Sequence, residues 1–158
     1  MPKITPCLWF DRDAEAAAQL YVSVFPNSRI VEISRYPEGL PGDRAGEVLT
    51  VEFELDGTPF TGLNGGPEFP QTEAVSFRID VDDQPTLDRY WDGLLAGGGV
   101  ESQCGWLKDR FGVSWQVVPV QLVPLITGPD RAAAGRVSDA LMQMGKIDIA
   151  KLEAAAKG

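Results

Sequence analysis

The first 26 residues show two hydrophobic periods, one typical of a strand and one typical of a helix. Residues 3–10 alternate in steps of two. One side of this predicted strand carries Thr5, Cys7 and Trp9. From Ala14 to Phe25 apolar residues recur at helical spacing. Pro26 ends this predicted helix, because the residue before a proline is disfavoured in the helical conformation.

Three further strands are predicted before Pro67. They cover residues 29–36, 47–55 and 59–64. Asp56-Gly57 joins the last two as a tight hairpin, because both residues tolerate the backbone that such a turn requires. Gly65-Gly66-Pro67 interrupts the pattern after the last strand. The order up to residue 66 is therefore strand, helix and three strands.

The same order begins again at Ala74. A strand is predicted over 75–81, and Gln84-Pro85 opens a helix with proline at a tolerated first-turn position. Five apolar positions of this helix lie 73 residues after five of the first helix: Leu87, Tyr90, Trp91, Leu94 and Leu95 follow Ala14, Ala17, Ala18, Tyr21 and Val22. Gly97-Gly98-Gly99 stops the helix, and short strands continue to Val118. Two βαβββ modules are therefore predicted, at about residues 3–66 and 74–118, since a second copy can cover the sheet face that one module leaves open.

The stretch from Cys104 to Pro119 holds two of the four tryptophans and predicts a hairpin in the second module. On its outgoing strand, Val113, Trp115 and Val117 alternate with Ser114 and Gln116. In the simpler interpretation the aromatic residues fill a core. In the alternative, the face that carries Ser114 and Gln116 lines a pocket.

Residues 121–157 form a tail of different character. A helical turn is predicted over 121–127 and a helix over 130–144. The apolar face of that helix carries Ala134, Val137, Leu141 and Met144, and Ile147, Ile149 and Leu152 begin a second short helix. Such faces usually belong to a core, but a tail that follows two complete modules can instead pack on a second subunit. The tail therefore predicts a homodimer to which it contributes interface.

Composition describes an ordinary globular protein of 158 residues, with 44% hydrophobic and 23% charged residues. A net charge of -9 opposes contact with phosphate backbones and anionic lipids, so neither nucleic acid nor a membrane is expected as a partner. Cys7 and Cys104 are the two cysteines and do not make a disulfide framework. A reducing cytoplasm is therefore the predicted location.

The chain contains no histidine, which removes the commonest general base and the commonest metal ligand together. Neither a Ser-His-Asp site nor a Cys-His site can form within it. Zinc sites of the usual kinds are nearly excluded, because two thiols alone supply soft ligands. A metal would need carboxylates, amides and water, which suit magnesium, calcium or manganese. No metal and no other cofactor is predicted.

Several segments, spread over nearly the whole chain, match a known family. They are Tyr21 with Val24-Phe25-Pro26-Asn27-Ser28, Leu63-Asn64-Gly65-Gly66-Pro67, Thr72-Glu73-Ala74-Val75-Ser76-Phe77, residues 104–112 with Ser114-Trp115-Gln116, and Lys146-Ile147-Asp148-Ile149-Ala150. On these residues the chain resembles the PhnB-like branch of the vicinal oxygen chelate superfamily, also called the glyoxalase/bleomycin resistance/dioxygenase fold. Many relatives in this branch carry the label 3-demethylubiquinone-9 3-methyltransferase.

The resemblance implies an α+β fold with two βαβββ modules, curved mixed or antiparallel sheets, C-terminal helices, a cupped pocket between the modules and a homodimer. Metal enzymes of the superfamily carry their ligands on the first and fourth strands of each module. Matched by strand and face, these positions fall near Thr5, Gly62 or Asn64, Ser76 and Gln116. Gln116 is a familiar ligand type and Asn64 a weak second, but one or two amides cannot hold a divalent ion tightly against water. A site without metal is therefore predicted.

The methyltransferase label lacks support from the residues. Methyl transfer usually relies on a glycine-rich loop between a parallel strand and a helix. Gly62 and Gly65-Gly66-Pro67 are predicted to lie between antiparallel strands and to precede no helix.

Nine residues are the candidates for a ligand pocket: Thr5, Cys7, Trp9, Asn64, Ser76, Arg78, Cys104, Trp106 and Gln116. No catalytic residue is assigned, because Cys104 would need a lowered thiol pKa, and Glu73 or Glu101 a buried carboxylate. The first hypothesis is a metal-free protein that binds a small organic molecule. The second is an isomerase, lyase, dioxygenase or transferase assisted by a divalent metal, and the third is a dimeric scaffold without a ligand.

Overall fold

Two four-stranded sheets form where the sequence alternates, one in each of two units that divide between Gln71 and Thr72. A computed structural model describes residues 4–40 and 42–158 of the chain. Within these ranges no helix has the length and hydropathy needed to cross a membrane. Each unit is described below by itself.

The sheet of the first unit is mixed. Its elements are β1 (Cys7–Phe10), α1 (Ala14–Val24), β2 (Arg29–Arg35), β3 (Val48–Leu55) and β4 (Thr58–Asn64). The order across the sheet is β1-β4-β3-β2, with β1 parallel to β4 and the other neighbours antiparallel. Asp56 and Gly57 form the β3–β4 turn at φ values of 46° and 78°, as the sequence predicts. β1 is shorter than predicted, so Thr5 precedes it, and Lys3 lies outside the described residues.

Helix α1 packs on one face of this sheet. Its buried residues are Ala14, Ala17, Ala18, Leu20 and Tyr21. Gly62 lets the helix approach β4, because a Cβ at this position would lie 3.2 Å from the Cβ of Ala14. Phe10 and Phe60 are buried, and β1 and β4 therefore turn their even-numbered residues toward the helix.

The second unit repeats the order of the first. Its elements up to residue 119 are β5 (Ser76–Val81), α2 (Gln84–Leu95), β6 (Val100–Glu101), β7 (Trp106–Lys108) and β8 (Ser114–Pro119). The sheet order is β5-β8-β7-β6, with β5 parallel to β8. The buried residues of α2 are Leu87, Tyr90, Trp91 and Leu94, each 73 positions after a buried residue of α1. The predicted βαβββ order and the α+β fold are therefore confirmed.

The tail belongs to the second unit. It forms α3 (Leu122–Thr127), α4 (Arg131–Met142) and α5 (Ile149–Lys157). Its buried apolar residues are Leu122, Ala134, Val137, Ile147, Ile149 and Leu152. These side chains are already covered within the chain, which corrects the expectation that they need a second subunit. The homodimer itself stays a prediction.

Gln84, the first residue of α2, holds the segment that joins α4 to α5. Its Nε2 donates to the carbonyl of Ile147 at 3.0 Å, and its Oε1 accepts from the backbone N–H of Ile149 at 2.9 Å. Lys146 lies 3.4 Å from an oxygen of Asp88 and 3.3 Å from one of Asp92. The tail is therefore fixed to α2 by hydrogen bonds from the Gln84 side chain to its main chain and by the ion pairs of Lys146.

Candidate functional site

Away from α2, the sheet of the second unit presents a row of polar and aromatic side chains. The register places Ser114 between Ser76 and Lys108, and Gln116 between Arg78 and Trp106. Alternate residues of a strand face the same side. We call this surface the second-sheet face, and it consists of Ser76, Arg78, Trp106, Lys108, Ser114 and Gln116.

The centre of the second-sheet face is an amide joined to a hydroxyl. The Nε2 of Gln116 donates to the Oγ of Ser76 at 2.8 Å. Ser114 is only 1% exposed, and its buried Oγ has no hydrogen-bond partner within the described ranges. Trp106 is half-buried beside Gln116. A few fixed polar groups next to an indole are the groups that orient a small organic molecule.

Both cations of this face have carboxylate partners. Arg78 Nε lies 3.0 Å from one oxygen of Asp80, and Nη2 lies 3.1 Å from the other. The ammonium of Lys108 pairs with Glu73, and its hydrogen bond lowers the pKa of that carboxyl. Glu73 is thus an exposed ion-pair partner, and Glu101 is exposed and accepts from the indole of a buried tryptophan. Neither fits the buried general base considered from the sequence.

Asp109 fixes the hairpin that carries this face. Its carboxylate is 3% exposed and accepts from the backbone N–H of Phe111 at 2.8 Å and of Val113 at 3.1 Å. The other oxygen accepts from the Nε1 of Trp115 at 2.9 Å. The carboxylate therefore closes the turn and ties it to the core side of β8.

In the first unit, Cys7 and Trp9 lie on the sheet side away from α1. Cys7 is exposed and pairs in register with Thr61, whose Oγ1 donates to Glu52 at 2.8 Å. Partial desolvation of the sulfur, followed by the charge of Glu52, raises the pKa of the Cys7 thiol. This thiol stays protonated at neutral pH and is a poor nucleophile. Thr5 is exposed before β1.

Trp9 is held in place by the Gly65-Gly66 pair. Its Nε1 donates to the carbonyl of Gly66 at 2.8 Å, and its ring meets Phe69 edge to face at 4.9 Å. A Cβ on Gly65 would lie 2.2 Å from Cζ2 of the indole. The indole can occupy this place only because residue 65 has no side chain.

Replacing Gly65 with alanine is expected to displace the Trp9 indole and to destabilise the first unit by about 1–3 kcal/mol, the usual cost of overpacking. Denaturant unfolding and the near-ultraviolet circular dichroism of tryptophan would measure both effects. Gly135→Ala is the matched control, because no neighbouring atom lies within 4 Å of a Cβ there. Alanine in that helix should stabilise the chain by about 0.5–1 kcal/mol. An unchanged Gly65→Ala protein would contradict the packing of Trp9.

Asn64 is not on an open face. It is 3% exposed, its Oδ1 accepts from the N–H of Ala14 at 2.9 Å, and its Nδ2 donates to Val48 at 3.1 Å. It therefore satisfies the first N–H of α1 and binds β3 as well. This position corrects its assignment as a pocket residue, because β4 turns Phe60, Gly62 and Asn64 toward the helix.

Cys104 also lies away from the second-sheet face. It has a positive φ of 57°, and its N–H donates to the carbonyl of Met144 at 2.8 Å. Its Sγ lies 3.6 Å from the carbonyl of Leu141. Cys104 therefore belongs to the contact between the hairpin and the tail, which corrects its assignment to the pocket.

Four of the nine candidates thus share the second-sheet face, namely Ser76, Arg78, Trp106 and Gln116. The convergence of Thr5 with Ser76 and Gln116 on one cavity stays a prediction. Lys108 also belongs to this face, but it was not among the candidates predicted from the sequence. Its place beside Ser114 in the predicted hairpin could have indicated it.

Two clefts, of about 430 and 340 Å³, lie elsewhere: one beside Gln84 and Lys146 and one at the β3–β4 turn. The polar groups of the first cleft hold the tail in place, and those of the second hold the β3–β4 turn.

The side chains of the second-sheet face do not fit a transition metal. Across residues 4–40 and 42–158, no group of three or more His, Cys, Asp or Glu side chains could hold an ion. Ser76 and Gln116 are neutral and hydrogen-bonded to each other. Hydroxyls and amides compete poorly with water for such ions.

A family model described as 3-demethylubiquinone-9 3-methyltransferase matches residues 2–118. The PhnB protein from Bacillus cereus is 33% identical, with a TM-score of 0.67 over 75% of this chain and 100% of that chain. Protein PA1353 from Pseudomonas aeruginosa is 19% identical, with a TM-score of 0.64 over 75% and 98%. The fosfomycin resistance protein FosX from Mesorhizobium loti is 16% identical, with a TM-score of 0.53 over 74% and 90%. The last two share the fold, and no curated protein matches the chain.

Proposed function

Since the chain belongs to the PhnB-like 3-demethylubiquinone-9 3-methyltransferase family, within the glyoxalase/bleomycin resistance/dioxygenase superfamily, we propose that it binds a small organic molecule without a metal. The second-sheet face is the binding surface. The observation that carries this proposal is the Gln116–Ser76 hydrogen bond beside Trp106 and the buried hydroxyl of Ser114. Together they offer an aromatic surface with a few fixed polar groups, as small-molecule sites do.

The methyl transfer in the family description finds no counterpart in these residues. Gly65-Gly66-Pro67 follows β4, and the next regular element is the strand β5 rather than a helix. A glycine loop that binds the phosphates or ribose of a cofactor normally opens a helix. β4 is parallel to β1, which corrects the expectation that this loop lies between antiparallel strands alone.

Ligand binding is expected to be independent of divalent metal. In a thermal-shift screen of neutral and anionic aromatic compounds, hits should raise the Tm equally with EDTA and with magnesium or manganese. A ligand at 100 times its Kd stabilises the folded state by about 2.7 kcal/mol, which is roughly a few degrees. Gln116→Ala should abolish the shifts, because it removes the central amide. Gln19→Ala, an exposed glutamine of α1, is the control that should retain them.

Two results would contradict this proposal in different ways. Stoichiometric zinc, nickel or iron in protein purified without chelators, or shifts that EDTA abolishes, would favour a metal-assisted enzyme. The absence of any shift would favour a scaffold without a ligand.

A further inference from the structure

Ser114 is the buried polar residue of β8, whereas Gln116, the other polar residue of this strand, is half-exposed. Val113 before it and Trp115, Val117 and Val118 after it are buried and apolar. Ser114 is equally buried, at 1% exposure, but its Oγ has no hydrogen-bond partner within the described residues. A buried hydroxyl without a partner destabilises a fold, and a valine would suit the strand better. Packing therefore does not explain a serine at this position.

The hydroxyl lies among groups that can donate to an oxygen atom or accept from a hydroxyl. Ser76 and Lys108 flank Ser114 in register, and Gln116 follows on the same face. Gln116 uses its Nε2 to bind Ser76, so its carbonyl oxygen takes no part in that bond. Ser76 accepts there and keeps its own proton to donate. Two hydroxyl donors and an amide oxygen thus stand at neighbouring positions.

The charges around this group favour an uncharged ligand. Arg78 and Lys108 are already paired with Asp80 and Glu73. These exposed pairs are weak, but a carboxylate or phosphate would also meet the repulsion of a chain of net charge -9. We propose that Ser114 donates a hydrogen bond to a neutral carbonyl or hydroxyl oxygen of the ligand and so selects uncharged molecules that carry one. This inference rests on the proposed function.

Four naphthalene probes on the full chain would test the selectivity: 2-acetonaphthone, 2-naphthol, 2-methylnaphthalene and 2-naphthoate, with each Kd measured by calorimetry. The wild type should bind the ketone and the naphthol more tightly than the methyl compound, and the naphthoate least tightly. Ser114→Ala should reduce the ketone-to-methyl preference by about tenfold, the effect of one hydrogen bond. The Tm of the free variant should be unchanged or higher, because an unsatisfied hydroxyl has been removed. Ser138→Ala is the control, since its hydroxyl is bonded to Ala134 at 2.8 Å.

The outcomes separate this inference from the proposed function. If the wild type binds the probes and Ser114→Ala keeps the same preference, the role of Ser114 is wrong and the proposed function stands. A lower Tm of Ser114→Ala with the preference intact would assign the hydroxyl to the fold and overturn the inference. An equal loss of preference in Ser138→Ala, or tightest binding of the naphthoate, would overturn it as well. If no probe binds the wild type although the thermal-shift screen gives hits, the inference fails and the proposed function stands; if neither experiment detects binding, both fail.

Discussion

Replacing Asp109 with alanine is expected to lower the free energy of unfolding of the second unit by about 3–5 kcal/mol, because three hydrogen bonds to one buried carboxylate are lost together. The N–H of Val113 and the indole N–H of Trp115 would be left buried without their acceptor. Cavity formation contributes less, since the carboxylate is small. Urea unfolding followed by tryptophan fluorescence would measure the loss.

Asp109→Asn removes the charge and one acceptor oxygen while the side-chain volume stays nearly the same. The amide oxygen can still accept from the turn N–H groups, but the amide NH₂ would face the donor of Trp115. A loss of about 1–3 kcal/mol is expected. Trp115→Phe removes that donor, so the double variant should be less destabilised than the sum of the single ones. Additive effects, or an Asp109→Ala protein as stable as the wild type, would show that the carboxylate does not fix the hairpin.

Deleting residues 129–158 is expected to unfold the second unit. The deletion removes five buried apolar side chains: Ala134, Val137, Ile147, Ile149 and Leu152. A buried aliphatic side chain of valine, isoleucine or leucine stabilises a fold by about 1.5–3 kcal/mol, so their sum reaches the whole stability of a typical domain. It also removes the partners of Gln84 in the tail. Loss of near-ultraviolet dichroism and of amide dispersion would report the unfolding.

Two point variants test the role of the tail without truncating the chain. Ile147→Ala should cost about 2–5 kcal/mol, because the side chain is fully buried, whereas Met142→Ala, at 63% exposure, should stay within about 0.5 kcal/mol of the wild type. Sedimentation velocity on the same proteins tests the predicted homodimer. A truncated chain that keeps its fold and changes only from dimer to monomer would support the interface role expected from sequence instead. Equal stabilities of the two point variants would contradict the burial of Ile147.

Hydrophobic periodicity was sufficient to predict the repeated modules, because their helices and strands bury one side and the period marks that side. It did not decide which side of β4 is covered. Phe60 shares a side with Asn64, and this was the signal that Asn64 faces the helix. The position of Cys104 was not predictable in the same way, since it depends on a left-handed backbone and on hydrogen bonds to a segment about 40 residues away.

Long-range contacts also explain why the packing of the tail and the role of Asp109 in the turn could not be predicted from the sequence. Apolar residues at helical spacing predict that a helix buries a face, but they do not name the surface that covers it. Here the segment that joins α4 to α5 is held by Gln84 of α2, which carries no hydrophobic signal. The role of Asp109 could not be predicted, because a local sequence pattern does not show that a carboxylate between two basic residues is buried. Its three donors come from the turn and from β8.

The attachment of the tail to α2 also sets the time at which the second unit can fold during synthesis. The first unit ends at Gln71 and carries its own core, so it can fold while later residues are still being made. The second unit needs contacts between residues 65 positions apart, from Gln84 to Ile149, and a core that includes Leu152. At roughly 5–20 residues per second, the ribosome takes about 4–16 s to extend the chain from residue 72 to residue 152. During this interval the second unit lacks part of its core, so its apolar side chains stay exposed for longer than those of the first unit.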